Sequence, residues 1–199
     1  TRRPAASRPR LSVVRAYVGL GANLGDPRRQ VESALGALGR LGASRRGPVS
    51  PPYRSAPLGP ADQPDYLNAV VVLDTVLAPL PLLDALQAIE SAAGRIRGRR
   101  WGPRRLDLDL LLYGDRRIDE ARLTVPHPGL ATRAFVLYPL VDLCGRHFRL
   151  PCGTDLGTLL DSCPGPTPAR QGWMLSASGD EADRDRDDGR SEPDRDTDG

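Results

Sequence analysis

Hydrophobic and polar positions recur with two different periods along this chain, and the switches between them mark its elements. Arg15 to Leu20 (RAYVGL) reads as a first strand, ended by Gly21. Asp26 then stands as a helix N-cap with Pro27 at the first helical position, and Val31, Leu35, Leu38 and Leu41 follow at helical spacing. That pattern predicts a helix with one buried stripe. Val49 to Ser55 predicts a short, proline-interrupted second strand, and Tyr66 to Val76 (YLNAVVVLDTV) a third with a strongly apolar centre. A second helix is expected from Pro79 to Gly94, with Leu82, Leu86, Ile89 and Ala93 facing inward and Asp84, Gln87 and Glu90 sharing a polar face. Leu106 to Tyr113 (LDLDLLLY) supplies the fourth strand.

Strand, helix, strand, strand, helix, strand is the split βαβ order of ferredoxin-like folds. The expected class is therefore α+β, an α/β sandwich with a mostly antiparallel sheet, helices on one face and ligand-binding loops on the other. Arg122 to Pro151 is expected to add a short helix and more strand. Residues 13–163 should form the folded unit, between a loose basic tail at 1–12 and a disordered acidic tail at 164–199.

Composition narrows the class. The 199 residues are 39% hydrophobic, enough for one buried core. No apolar run approaches the roughly 20 residues that cross a bilayer, and TRRPAASRPR lacks the apolar stretch of a secretory signal; the expectation is a cytoplasmic protein without a membrane partner. Cys144, Cys152 and Cys163 form no close CxxC pair, so neither a disulfide framework nor a zinc site is indicated. The formal net charge of +3 divides unevenly: ten Asp/Glu against four Arg from Ser176 onward leave −6 there, so residues 1–175 carry +9. A body that basic attracts polyanions.

The chemistry concentrates between Arg100 and Tyr113 (RWGPRRLDLDLLLY). Successive strand side chains point to opposite faces, so Asp107 and Asp109 emerge together and the leucines emerge on the other side. Paired carboxylates repel unless a cation sits between them, and Mg²⁺, which prefers oxygen ligands, suits the pair. Arg95, Arg97, Arg99, Arg100, Arg104 and Arg105 crowd the approach, as a site for a metal-bound polyphosphate requires. Taken alone, an edge strand with a solvated acidic face would show the same run. GLGANLGD, after the first strand, lacks the GKS/T end of a P-loop and is explained as well by a plain strand-to-helix turn.

Tyr66 and Asn68, two apart, project to one side of the third strand, and a ring beside an amide suits a flat heterocycle with a mixed hydrogen-bonding edge. A core tyrosine beside a satisfied amide is the plain alternative. Arg122, His127 and Arg133 add donors to phosphate, and Phe135 adds a second ring.

YRSAPLG…DQPDYLN, RWGPRRLDLDLLLYG and RLTVPHP…RAFVLYPL, in that order, closely resemble the 6-hydroxymethyl-7,8-dihydropterin pyrophosphokinases of the folate pathway, over about Arg15 to Leu160. The resemblance implies a ferredoxin-like α/β fold, transfer of the pyrophosphoryl group of ATP to the pterin hydroxymethyl oxygen, AMP as coproduct, and two Mg²⁺ ions. By position, Asp107 and Asp109 match the Mg²⁺ ligands, and Tyr66 and Phe135 the rings around the pterin. Asn68 matches its amide partner, and Ser55, Ala56 and Leu58 lie in the loop at its edge, with Trp101 also on the substrate side. Gln87, Glu90, Arg95, Trp101, Arg104, Leu110, Arg122, Thr124, His127 and Arg133 match nucleotide-contacting positions, and Arg95 and Arg104 match the arginines that act on the phosphates. Loops around Gly47 to Pro60 and Gly94 to Pro103 are expected to close over the substrates.

There are departures from the family pattern. The stretch from Arg95 to Trp101 is one residue shorter than in typical members, which leaves Arg97, Arg99 and Arg100 unmatched; Ala56 replaces a usual proline, and Pro128 stands where an aromatic often follows the histidine. Two rival readings share the topology. An RNA-recognition domain would carry an RNP-type aromatic motif, and none is found. A ligand sensor without turnover would not need aligned carboxylates beside so many arginines. The expected partners are therefore ATP and the pterin, with no nucleic acid, and the expected state is a monomer.

Overall fold

The computed structural model describes residues 12–59, 62–94 and 104–176. The elements are β1 (Val14–Ala22), α1 (Pro27–Gly39), β2 (Ser44–Val49), β3 (Tyr53–Ser55), β4 (Tyr66–Thr75), α2 (Pro79–Ala92) and β5 (Asp107–Tyr113). They are followed by β6 (Ile118–Glu120), β7 (Leu123–Val125), α3 (Ala134–Cys144), α4 (Leu156–Ser162) and β8 (Ala169–Arg170). β1 lies between β5 and β4 and pairs antiparallel with both. The sheet runs β5-β1-β4-β3-β8, with β2 also on β4. This is the order of a ferredoxin-like sheet, with its second strand split in two. The class matches the α+β expectation.

Several boundaries differ from those expected. Val49–Ser55 is not one strand: the chain leaves β4 after Ser50, passes Pro51 and Pro52, and returns as β3. Proline cannot donate to a ladder, which explains the break. The expected flap from Gly47 to Pro60 therefore contains the end of β2 and all of β3. Gly21 does not end β1; it pairs with Asn68 on one side and Asp107 on the other.

Both sheet faces are covered, where helices on one face were expected. Ala16, Val18 and Leu20 of β1, Ala69, Val71 and Leu73 of β4, and Leu108 and Leu110 of β5 pack with α1 and α2 in one core. Tyr17, Val70, Val72, Leu111 and Leu112 pack with Val136, Leu137 and Leu140 of α3 and Leu156 of α4 in another. The pattern of residues 122–151 predicted a short helix, but only packing decides which face it takes. α3 covers just part of the second face, and the uncovered part holds the site.

Local signals account for the first layer. The Asp26 side chain accepts from the Arg29 N–H at 3.1 Å, capping α1 as expected. α2 has no side-chain cap, a loss of about 1 kcal/mol. Leu82 and Leu86 are fully buried, at about 1.5–3 kcal/mol each, so packing holds that helix. Glu90, assigned above to the polar face of α2, is instead 1% exposed, and its carboxylate accepts from the Leu108 N–H at 2.8 Å. β5 is an edge strand, and this carboxylate satisfies a backbone donor that no strand reaches.

The chain stays on the body beyond the boundary expected at Cys163. β8 pairs with β3, the Gln171 N–H donates to the Pro52 carbonyl at 2.9 Å, and the Arg28 guanidinium lies 4.5 Å from the Trp173 ring centre. Residues 1–11 and 177–199, assigned above to tails, lie outside the described residues. Among the described residues no helix is long and apolar enough to cross a membrane. The three cysteines are unpaired thiols.

Candidate active site

The register of the central strands assembles the site. Asp107, Gly21, Asn68 and Tyr53 stand in one row across β5, β1, β4 and β3, and Asp109, Gly19 and Val70 stand in the row beside it. Strands are about 4.8 Å apart, so the carboxylates and Asn68 sit two strands, roughly 10 Å, from each other. Between them β1 contributes only glycine. A Cβ on Gly21 would meet Asn68 Oδ1 at 3.4 Å, and one on Gly19 would meet the Leu111 side chain at 3.4 Å. The missing side chains leave a flat floor.

Above that floor is a cavity of about 340 Å³ lined by Ser55, Ala56, Leu58, Tyr66, Asn68, Arg104, Asp107, Asp109, His127, Arg133 and Phe135, among others. One end is aromatic and amide-bearing, where Asn68 Nδ2 donates to Ser55 Oγ at 2.9 Å. The other end is charged. Arg104 pairs with Asp107; His127 Nε2 and Arg133 Nη1 stand 3.8 and 3.9 Å from Asp109 Oδ2.

His127 is placed by its backbone. It follows a cis Val125–Pro126 peptide, and its N–H donates to the Leu111 carbonyl at 3.0 Å, fastening it to β5. Its Nδ1 accepts from the Gly129 N–H at 3.0 Å, so the neutral ring carries its proton on Nε2, toward Asp109. Burial holds its pKa below the ordinary 6.5, against the pull of Asp109. Burial, then the charge of Asp107, pushes Asp109 above the ordinary carboxylate value. Asp109 remains 36% exposed toward the cavity, where a cation could relieve that repulsion.

A second cavity of about 290 Å³ adjoins the first and includes Leu110, Arg122, Thr124, His127 and Pro128 in its lining. Asp109 and His127 line both cavities. Arg122 pairs with Asp84 at its rim, both more than half exposed, so the pair holds Arg122 by about 0–1 kcal/mol.

The model for 7,8-dihydro-6-hydroxymethylpterin-pyrophosphokinase matches residues 17–145, which contain every residue of both cavities. The chain belongs to the pyrophosphokinase family of that name. It is 57% identical over 152 residues to the Pseudomonas aeruginosa 2-amino-4-hydroxy-6-hydroxymethyldihydropteridine pyrophosphokinase, covering 76% of this chain and 93% of that protein. It is 43% identical over 128 residues to the Schizosaccharomyces pombe folic acid synthesis protein fol1, covering 64% of this chain and 18% of that one. Among solved structures, wild-type Plasmodium falciparum HPPK-DHPS with pteroate aligns at a TM-score of 0.60 and 14% identity, over 76% of this chain and 42% of that one. At that identity the likeness speaks for the fold alone, and the chain spans under half of that structure.

Within this pyrophosphokinase, the cavities bring together Ser55, Ala56, Leu58, Tyr66, Asn68, Arg104, Asp107, Asp109, Leu110, Arg122, Thr124, His127, Arg133 and Phe135. Gln87 is exposed on α2, and neither it nor Glu90 lines either of these two cavities. Arg95, Arg97, Arg99, Arg100 and Trp101 lie outside the described residues. Gly19, Gly21 and the residues that hold Arg104 and Tyr66 in place were missed by sequence reasoning. Two glycines inside a strand pattern were the available signal, since they mark a close approach to the backbone.

Proposed function

We propose that this chain, acting as a cytoplasmic monomer, transfers the β,γ-pyrophosphoryl group of ATP to the hydroxymethyl oxygen of 6-hydroxymethyl-7,8-dihydropterin, with two Mg²⁺ ions and with AMP as coproduct, in folate biosynthesis. One observation carries the reading: a glycine-floored cavity with an aromatic and amide end faces paired carboxylates across a single strand.

Tyr66 and Phe135 take the faces of the pterin, and Asn68 and Ser55 its polar edge, an amide and a hydroxyl suiting a ring that both donates and accepts. Ala56 and Leu58 bound that edge. Asp107 and Asp109 fit Mg²⁺, which binds through one or two carboxylates and completes its shell with water and phosphate oxygens. Bound there, the ions supply charge neutralisation on the phosphates.

An ATP polyphosphate carries about four negative charges, so attack by a neutral hydroxyl is slow until those charges are balanced and the reactants aligned. Arg95, Arg104 and Arg133 donate to phosphoryl oxygens, and His127 Nε2–H donates from the junction of the cavities. Leu110, Arg122, Thr124 and Trp101 hold the nucleotide. The pterin oxygen forms its bond to the β phosphorus as the bond from that phosphorus to the α-phosphate oxygen breaks, and AMP departs. The hydroxyl proton leaves to solvent or to a carboxylate of the pair.

Incubation with ATP, Mg²⁺ and hydroxymethyl-dihydropterin should give AMP in step with pterin diphosphate. ADP in place of AMP, or nucleotide turnover indifferent to pterin, would overturn the reading. Chelation should abolish turnover, and sedimentation should give a mass near 21.5 kDa.

A further inference from the structure

Asn23 lies one residue beyond β1, is 2% exposed and lines neither cavity. It nevertheless joins the two ends of the site. Its N–H donates to the Arg104 carbonyl at 3.1 Å, and its Oδ1 accepts from the Arg104 N–H at 2.8 Å. This two-point clasp fixes the backbone of the residue whose guanidinium pairs with Asp107. On the other side, Asn23 Nδ2 donates to Gln63 Oε1 at 3.1 Å and to the Pro64 carbonyl at 3.0 Å. Gln63 Oε1 also accepts from the Tyr66 hydroxyl at 3.4 Å.

We propose that Asn23 is a positioning residue that couples the pterin end of the site to the phosphate end, so that each substrate organises the residues that bind the other. The proposal rests on the function given above.

The chemistry of the amide explains why this residue does it. An amide is planar, with two donors on one atom and an acceptor on the other. Here both donors serve residues 63–64, and the acceptor and main chain serve residue 104. A shift on either side turns the same rigid plane. Aspartate would keep the acceptor but set oxygen against the Pro64 carbonyl, and alanine would remove every bond to residues 63–64 and one of the two bonds to Arg104. Burial adds to the effect, because a lost bond here is not replaced by water.

Coupling between two ligands is reciprocal and is read as one factor, the ratio of dissociation constants for one ligand without and with the other. The probes are 6-hydroxymethylpterin and the Mg²⁺ complex of α,β-methylene-ATP, whose scissile bond is blocked. By calorimetry, pterin should tighten the analogue at least about tenfold in the wild-type protein, within the usual range of coupling between sites. Asn23→Ala should bring that factor below about threefold. Gln63→Leu, at a partly exposed position, removes one of the two acceptors for Asn23 Nδ2 and the link to the Tyr66 hydroxyl, and should lower the factor in the same direction. It decides the matter if Asn23→Ala does not fold.

A residue with a merely structural role would weaken each ligand alone and lower Tm while leaving the factor intact. That result, or a wild-type factor near one, would overturn the proposal. AMP formation is followed in the same wild-type preparation. If AMP forms and the factor is indifferent to both substitutions, only the role of Asn23 falls; if no AMP forms, the function itself falls.

Discussion

Asp109 and His127 face each other at the junction of the two cavities, Oδ2 to Nε2 at 3.8 Å. Removing the carboxylate in Asp109→Ala takes away one of the two side chains proposed to hold Mg²⁺, and losses of this electrostatic kind run to about 10²–10³ in rate. Near-normal AMP formation by that variant would end the metal assignment. His127→Gln keeps a donor near Nε2 and should retain far more activity than His127→Ala, the ranking being read from kcat/KM for ATP.

The same pair sets a pH dependence. Asp109 lies above the ordinary 3.8 because of burial and then Asp107, while His127 lies below 6.5 because of burial. The reactive combination, an ionised carboxylate and a neutral ring, is complete above both values and is lost as pH falls through them. The acid limb of kcat/KM should therefore stand above pH 3.8, the ordinary carboxylate value. In the metal-free protein, Asp107→Asn removes a raising charge, so the carboxyl-carbon NMR titration of Asp109 should move to lower pH. An upward move would contradict the assignment of cause.

Gly21 lies in the floor beside Asn68 and Tyr66. Gly21→Val places methyl groups over the floor beside Asn68 and Tyr66, and the misfit should raise the pterin KM by about 10–200-fold. Valine is at ease in a strand, so Tm should hold and the ATP KM change little. Equal damage to both KM values would point to a distorted sheet instead.

Glu90 should act on stability. With the carboxylate gone in Glu90→Ala, the Leu108 N–H is left without its acceptor, a cost of about 1–3 kcal/mol in urea unfolding. An unchanged midpoint would show that another group had taken its place.

Asp74 stands opposite Arg15 of β1 and Arg45 of β2, with an oxygen 2.9 Å from each. The hydrogen bond from Arg15 holds its pKa below 3.8 despite burial. A depressed carboxylate stabilises the fold above its unfolded value, and the gain disappears as pH falls through the folded value. Both arginines are more than half exposed, so Asp74→Asn should cost at most about 1 kcal/mol at pH 7. Thermal melts should show the gap closing as pH falls below 3.8.

Much was already determined by residue order. The periods of 3.6 and 2 gave α1, α2, β1, β4 and β5 to within a few residues, because side-chain direction in an element is a local property. The facing of Asp107 with Asp109, and of Tyr66 with Asn68, follows from the same rule. Which residues stand across from them does not, because antiparallel register is set by contacts between distant segments. Only the folded sheet could place Gly21 between Asp107 and Asn68, put α3 on the second face, and turn Glu90 inward to an edge-strand donor. The carboxylates were legible in the sequence; the floor that separates them from the aromatic and amide end was decided by pairing and packing, which no local pattern encodes.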